Sequence, residues 1–545
     1  MGAVRRKKSR FAKVTASLTA VMAACLGTNV AQGQADDWRS HWAIPPGYFL
    51  EVDTGGYQLP VSIAMVPSPG SAPAAPLYYV AELGGRILVV RNDRKKEVFA
   101  ENFFSLNSSA LMPDIAGVIG LTGLCLDADS GFLFATYVYD GDSGRYNGIT
   151  RFSTTPGEFS LRPEETFNIL KAFMLGDSAF TRFPFGHQIG QCQIVDNSLY
   201  VGIGDGELVH RSRSDQSSFG KILRMQFDGS PVGDATAGQE PSLADYIFSS
   251  GLRNPFGQTL MGDNILVADN GPGIDRVLLA REGQDYLYDG SDQSIATNAM
   301  LVLAPAKGTA HIAYYPENAA SGMDELKNNA LVVLSGVPEI YIEDEPAEII
   351  AVGVEEKSGL VTSRPRSLVK FVGKRLQVLS SIALGADGIY FAPVYGEQSL
   401  PQDSNVYKLS WAPDKPYPTR IMQYKNARAI ILNNGCRGCH SIKGRGGNIG
   451  PSLTPQELKA RNLARLNSPA FETQMAEMNF KDDRKDIVAA RARVLSVKGE
   501  KRLRAWVEEK ILEPSLDNEH SIMPLLNISR KEAQSVTRYL LSEKK

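Results

Sequence analysis

A short apolar strand recurs six times along this 545-residue chain, and that recurrence limits the possible folds more than any other feature. The copies are Leu77-Tyr78-Tyr79-Val80, Phe132-Leu133-Phe134, Leu199-Tyr200-Val201, Ile265-Leu266-Val267, Leu331-Val332-Val333 and Ile389-Tyr390-Phe391, starting roughly 55–65 residues apart. Most are followed, after a turn, by a second strand-like run: Arg86-Ile87-Leu88-Val89, Gly148-Ile149-Thr150, Lys221-Ile222-Leu223-Arg224, Arg276-Val277-Leu278 and Val406-Tyr407-Lys408-Leu409. Units this small have too little apolar surface to fold alone and must share it with neighbours. Six of them predict an all-β six-bladed β-propeller over residues 36–410; a stacked sandwich does not call for such even spacing. The fifth unit reads as irregular, with an acidic stretch at Glu343-Asp344-Glu345-Pro346.

Both flanks differ from this repeat. Residues 1–35 read as an export signal: Arg5-Arg6-Lys7-Lys8, an apolar stretch from about Val14 to Leu26, then small residues with cleavage after Gly33 or Ala35. Cys25, behind Met22-Ala23-Ala24, offers the alternative of a lipid-anchored protein. Beyond the leader no apolar run is long enough to span a bilayer. Residues 411–422 form a proline-rich linker, and residues 423–545 turn helical. There the spacing predicts helices over 426–434 and 532–541, the second with Ala533, Val536, Tyr539 and Leu540 on one face.

Charge divides along the same line. Residues 36–419 carry 28 basic and 46 acidic side chains, whereas residues 420–545 carry 24 and 14. Opposite fields of this kind predict that the two domains attract, with an attraction that weakens as salt rises.

The helical part contains Cys436-Arg437-Gly438-Cys439-His440. C-x-x-C-H is the covalent attachment site of a c-type haem: two thiolates bond the porphyrin edge and the histidine ligates iron from below. A structural zinc site would need two further ligands at short spacing, and none follows. Candidates for the sixth ligand are Met475, Met478, His520 and Met523. Ser521-Ile522-Met523-Pro524 before a terminal helix resembles the cytochrome c pattern, which favours Met523. Gly447-Asn448-Ile449-Gly450-Pro451 resembles the segment that lays a proline against the proximal histidine. Met475 and Met478 stand at helical spacing and are expected in the core. An all-α cytochrome c domain is therefore expected over 423–545, and export agrees with it. Cys125 and Cys192 lie in apolar runs and are expected as buried thiols, with a disulfide as the alternative in an oxidising compartment.

Four segments of the repeat region stand in a telling order: Gly120-Leu121-Thr122-Gly123-Leu124; Gly186-His187-Gln188-Ile189-Gly190 running into Gly202-Ile203-Gly204-Asp205; Gly251-Leu252-Arg253-Asn254-Pro255-Phe256-Gly257; and Val267-Ala268-Asp269-Asn270-Gly271-Pro272 with Asp275. On these, residues roughly 44–410 resemble the glucose/sorbosone dehydrogenase family, soluble six-bladed propellers that bind pyrroloquinoline quinone (PQQ) and calcium. The resemblance implies His187 as general base toward a substrate hydroxyl. It implies Arg253 holding negative charge on the quinone, Asn254 hydrogen-bonding the cofactor, and the carbonyls of Gly271 and Pro272 as calcium ligands. The attached haem motif suggests the sorbosone-dehydrogenase-like branch.

Family members also supply a lysine and two arginines from late blades to the quinone carboxylates. The corresponding regions here read Leu334-Ser335-Gly336 and Val378-Leu379-Ser380-Ser381; Lys370, Lys374 and Arg375 are the cations nearest in sequence. The chain as a whole thus reads as an exported, periplasmic quinohaemoprotein dehydrogenase. It would oxidise a sugar, sugar aldehyde or alcohol by hydride transfer to PQQ and pass electrons through its own haem c to an outside acceptor, such as a soluble cytochrome or a respiratory chain. No nucleic-acid partner is expected, and a membrane only through Cys25. The alternative is a propeller without quinone, acting as a binding module beside an electron-transfer cytochrome c.

Overall fold

A computed structural model describes residues 38–106, 119–141, 144–169, 186–233, 241–319, 322–336, 346–374, 377–396, 403–421, 426–481, 484–519 and 521–542. The leader with Cys25, the acidic stretch 343–345, Arg375 and His520 lie outside the described residues.

The chain enters on β1 (Trp42–Ala43) and β2 (Tyr48–Tyr57), which belong to sheets completed only much later. Blade one is β3 (Pro60–Met65), β4 (Pro76–Glu82), β5 (Arg86–Arg91) and β6 (Lys96–Ala100). Blade two is β7 (Gly120–Asp127), β8 (Phe132–Gly141), β9 (Gly144–Ser153) and β10 (Glu165–Asn168). Blade three follows as β11 (Ile189–Val195), β12 (Ser198–Ile203), β13 (Lys221–Gln226) and β14 (Ile247–Ser249). Blade four is β15 (Pro255–Met261), β16 (Asn264–Asp269), β17 (Asp275–Ala280) and β18 (Leu301–Leu303), with a one-turn helix α1 (Asp292–Ala296) before its last strand. In blade five, β19 (Thr309–Tyr315), β20 (Asn329–Leu334), β21 (Glu348–Gly353) and β22 (Arg366–Phe371) take β1 as a fifth strand. Blade six is β23 (Leu379–Gly385), β24 (Gly388–Pro393) and β25 (Ser404–Trp411), closed by β2 on the outside.

This is the predicted six-bladed propeller, and each recurrent apolar run is the second strand of a blade. Those strands are buried on both faces because a blade packs on a neighbour at either side. Six apolar clusters result, one in each gap between blades. Leu121, Leu133 and Tyr137 of blade two meet Tyr79, Ile87 and Val89 of blade one, for example. Leu331, Val333 and Ile349 of blade five meet Ile389, Phe391 and Leu409 of blade six around Trp42. The fifth blade, read as irregular, is the most extended of the six.

Two expectations are corrected here. Cys125 on β7 and Cys192 on β11 are joined in a disulfide rather than held as separate thiols. The first strands of blades two and three lie side by side at the propeller centre, which brings residues 67 apart in sequence to a Cα separation of 5.7 Å. The stretch 411–422 is also no loose tether in its described part. Tyr417 is buried in the cluster of blades five and six, and Arg420 Nη1 donates to the carbonyls of Pro45 and Tyr48 at 2.7 and 3.0 Å.

The helical region holds α2 (Ala427–Asn433), α3 (Cys436–Cys439), α4 (Pro455–Leu466), α5 (Pro469–Lys481), α6 (Lys485–Leu495), α7 (Glu500–Leu512) and α8 (Arg530–Leu540). Asn426 caps α2 through Ala429 N–H, and Ser529 with Glu532 forms a capping box on α8. Ala533, Val536 and Leu540 of α8 pack on Ile430 and Ile431 of α2, with Met475 fully buried in the same core. Across the domain junction Arg364 of the propeller bonds Glu513 at 2.6 Å and the Leu526 carbonyl at 3.1 Å. That ion pair has the reverse polarity of the net fields, so local contacts and not bulk charge shape this part of the junction. Among the described residues no helix is long and apolar enough to cross a membrane.

Candidate active site

His187 lies in the loop before β11 with φ of +53°, a left-handed conformation uncommon for a residue with a Cβ and typical of functional sites. Its Nδ1 lies 2.6 Å from Asp205 Oδ1, and its side chain is only 12 % exposed. Asp205, at the end of β12, is fully buried and accepts Glu207 N–H with the same oxygen at 2.9 Å. A carboxylate so placed favours the tautomer with hydrogen on Nδ1, leaving Nε2 as the acceptor of the imidazole. Asp205 also donates its backbone N–H to the Arg253 carbonyl at 2.6 Å. One residue therefore holds the His187 side chain and the Arg253 backbone.

The Arg253-Asn254 turn is held from below. Asp269 Oδ1 accepts the N–H groups of Arg253 and Asn254 at 3.1 and 2.7 Å, and its other oxygen takes Arg276 Nε at 2.8 Å. Asp269 and Arg276 are both fully buried, a paired charge that anchors the turn. Arg253 Nη1 donates to the Asn270 carbonyl at 3.1 Å, and the guanidinium also bonds Tyr288. Burial pushes the Tyr288 phenol up to about 12. Asn254 Oδ1 is buried with no partner among the described residues. A buried amide oxygen left so is costly unless something completes it.

Gly271 and Pro272 continue from Asn270, so the structure brings His187, Arg253, Asn254 and the Gly271-Pro272 turn into one network. Gly271 N–H donates to Asp275 Oδ1 at 3.1 Å, and Asp275 Oδ2 accepts from Lys307 and Gly308 at 2.8 and 3.0 Å. Burial pushes the Asp275 carboxyl up to about 7, against the pull of those three donors. Calcium takes six to eight oxygens, and two carbonyls supply a minority; the rest would have to come from a bound cofactor and water. Among the described residues no cluster of three His, Cys, Asp or Glu side chains stands ready for a metal.

The late blades keep the neutral character seen in the sequence. Ser335 Oγ donates to the Lys307 carbonyl, and Ser380 Oγ to the Pro60 carbonyl. Lys370 sits on β22, opposite Glu348 in the ladder and far from the first strands. It lines a crevice of about 1290 Å³ between blade five and the helical region, a space that touches neither His187 nor Arg253. His311, without a role in the sequence reading, lies on β19, where Nδ1 accepts the fixed Ile312 N–H at 2.8 Å.

In the helical region α3 spans the two cysteines and ends at His440. Cys436 and Cys439 are both half-buried, and burial, aided by the charge of Asp292, pushes the Cys439 thiol up to about 11. His440 Nδ1 lies 2.7 Å from the Pro451 carbonyl, so its Nε2 is left to face a ligand site. Burial holds this imidazole below its usual range, in the neutral form a metal needs. At Gly450 a Cβ would stand 2.4 Å from the ring, which only glycine avoids. Met523 is half-buried against the helical core, while Met475 and Met478 are buried in it or beside it.

Residues 66–328 match the family model described as Glucose / Sorbosone dehydrogenase. Among solved structures, a glucose dehydrogenase is 16 % identical with a TM-score of 0.50, covering 66 % of this chain and 98 % of its own. The PQQ-bound aldose sugar dehydrogenase of Streptomyces coelicolor is 16 % identical (TM-score 0.46; 68 % and 100 % covered). The soluble aldose sugar dehydrogenase of Escherichia coli is 13 % identical (TM-score 0.48; 67 % and 99 % covered). At such identities a likeness speaks for the fold alone. No curated protein matches the chain.

Proposed function

We propose that this chain is an exported dehydrogenase of a small sugar, sugar aldehyde or alcohol, with PQQ and calcium in the propeller and a c-type haem on Cys436 and Cys439. The observation that carries this reading is the coupling of His187 and Arg253 through Asp205, inside the segment that matches the dehydrogenase family.

His187 Nε2 accepts the hydroxyl proton of the substrate, and Asp205 keeps the ring oriented and stabilises it once charged. Arg253, held by the Asn270 carbonyl, presents positive charge beside Asn254, and the two would grip the oxygens of the quinone. The Gly271 and Pro272 carbonyls would hold calcium, which would supply Lewis acidity beside a PQQ whose chemistry is that of a hydride acceptor. His440 and Met523 would hold the haem iron, and a histidine–methionine pair would give it a raised potential. The Cys125–Cys192 disulfide supports export to an oxidising compartment such as the periplasm.

Purified holoprotein supplied with PQQ, calcium and a panel of aldoses and alcohols tests this: substrate should bleach the oxidised haem spectrum only when PQQ is present. Absence of PQQ binding would favour the second reading, a binding module beside a cytochrome, which the neutral Ser335 and Ser381 positions support.

A further inference from the structure

The part of the helical region around the C-x-x-C-H motif meets one stretch of blade four. At Gly438, between the two cysteines, a Cβ would stand 2.7 Å from Pro305 Cβ and Cγ. At Gly273 it would meet Asp292 Oδ2 at 2.6 Å and Ile449 Cδ1 at 2.8 Å. Ile522 packs against the buried cluster of Ile274, Tyr288 and Ile295. The attachment turn, the segment behind His440 and the residue before Met523 therefore all lie on residues 273–305 of the propeller.

Asp292 stands in the middle of this contact. Its Oδ1 accepts Gly273 N–H at 2.8 Å, its Oδ2 lies beside Ile449 of the segment behind His440, and among the described residues no cation pairs with it. Gly273 follows directly on the Gly271-Pro272 turn, so this carboxylate bridges the candidate quinone site and the haem motif.

We propose that Asp292 is a positioning residue by which the propeller sets the reduction potential of the group attached at Cys436 and Cys439; the proposal rests on the haem reading above. A fixed negative charge favours the ferric over the ferrous state, more strongly as water is excluded from the junction. The charge thus lowers the potential of the electron outlet, while the carboxylate oxygen keeps the Gly273 turn in contact with it.

Redox titration of the purified holoprotein, followed by haem absorbance, tests this without turnover. Asp292→Asn keeps an acceptor for Gly273 N–H and should change the ferric-to-ferrous ratio at fixed potential about tenfold, an upward shift of ~59 mV for one electron. Asp292→Glu should restore the wild-type value, and Asp263→Asn, at an exposed propeller site, should leave it unmoved. An unchanged potential in Asp292→Asn with haem covalently attached overturns this proposal alone. A purified protein without covalently attached haem overturns it together with the haem reading.

Discussion

Asp205 holds His187 at 2.6 Å through its carboxylate and Arg253 at 2.6 Å through its backbone N–H. The His187 side chain and the Arg253 backbone are thus tied to a single buried residue, and a change of its carboxylate should be felt at His187. Asp205→Asn is expected to lower kcat by about 10²–10⁴-fold, the usual worth of an oriented general base. His187→Ala should abolish substrate-driven haem reduction while dithionite still reduces the haem. Stopped-flow absorbance measures both; unchanged turnover in His187→Ala would remove it from its role.

The Cys125–Cys192 bridge closes a loop of 67 residues between blades two and three. Replacing both cysteines by alanine should cost about 2–4 kcal/mol of stability in chemical denaturation. Reduction of the wild type with a strong thiol should reproduce most of that loss, with redox activity of the helical region unchanged.

His311 carries a pH dependence of its own. Its Nδ1 faces a fixed N–H donor, and burial in the ring lowers its pKa to about 4, below the usual imidazole value. The unfolded chain therefore binds the proton more readily between pH 4 and about 6.5, and stability falls as pH drops through that window. The contribution should be up to about 3 kcal/mol, fully present above pH 6.5 and lost near pH 4. His311→Gln should flatten the curve of melting temperature against pH in this range; an unchanged slope would refute the assignment.

Arg364 ties propeller to helices through Glu513 and the Leu526 carbonyl. Arg364→Ala should weaken the junction by roughly 1–3 kcal/mol, the range for bonds to charged groups. Faster limited proteolysis of the variant than of the wild type would reveal it. Because this pair opposes the net fields, the effect of salt on docking should be smaller than the charge counts alone imply.

Met523 is the expected sixth ligand, and Met523→His should lower the haem potential and convert the spectrum to that of a bis-histidine site. A spectrum identical to wild type would point to another ligand.

Much of the scaffold was legible because a strand packed on both faces must be apolar throughout. Runs such as Leu331-Val332-Val333 announced the second strand of every blade. First strands such as β15, with polar Gln258 and Thr259, and the outermost strands carry no comparable signal. The pairing of β2 with β25 joins residues some 350 apart, which no local pattern records. At the site, motif order named His187, Arg253 and Gly271, and the fold joins their segments through Asp205 and Asn270. Asp205 stood in the His187 segment without a role, because its contact with the imidazole is a matter of backbone conformation and not of spacing. Asp292 had no signal at all: its meaning arises from a contact between two domains. The disulfide likewise came from blade adjacency and not from spacing.

The pairing of β2 with β25 also orders events in time. A ribosome delivers Tyr48–Tyr57 first and must read through blade after blade before Ser404–Trp411 emerges to receive it. Until then one lateral edge of the nascent sheet has no mate, and the half-made ring is open to wrong partners. The helical region, which settles on blades four and five, is synthesised only after that clasp becomes possible. Its docking surface is therefore ready when it arrives, so the helices can be fitted last, onto a finished ring.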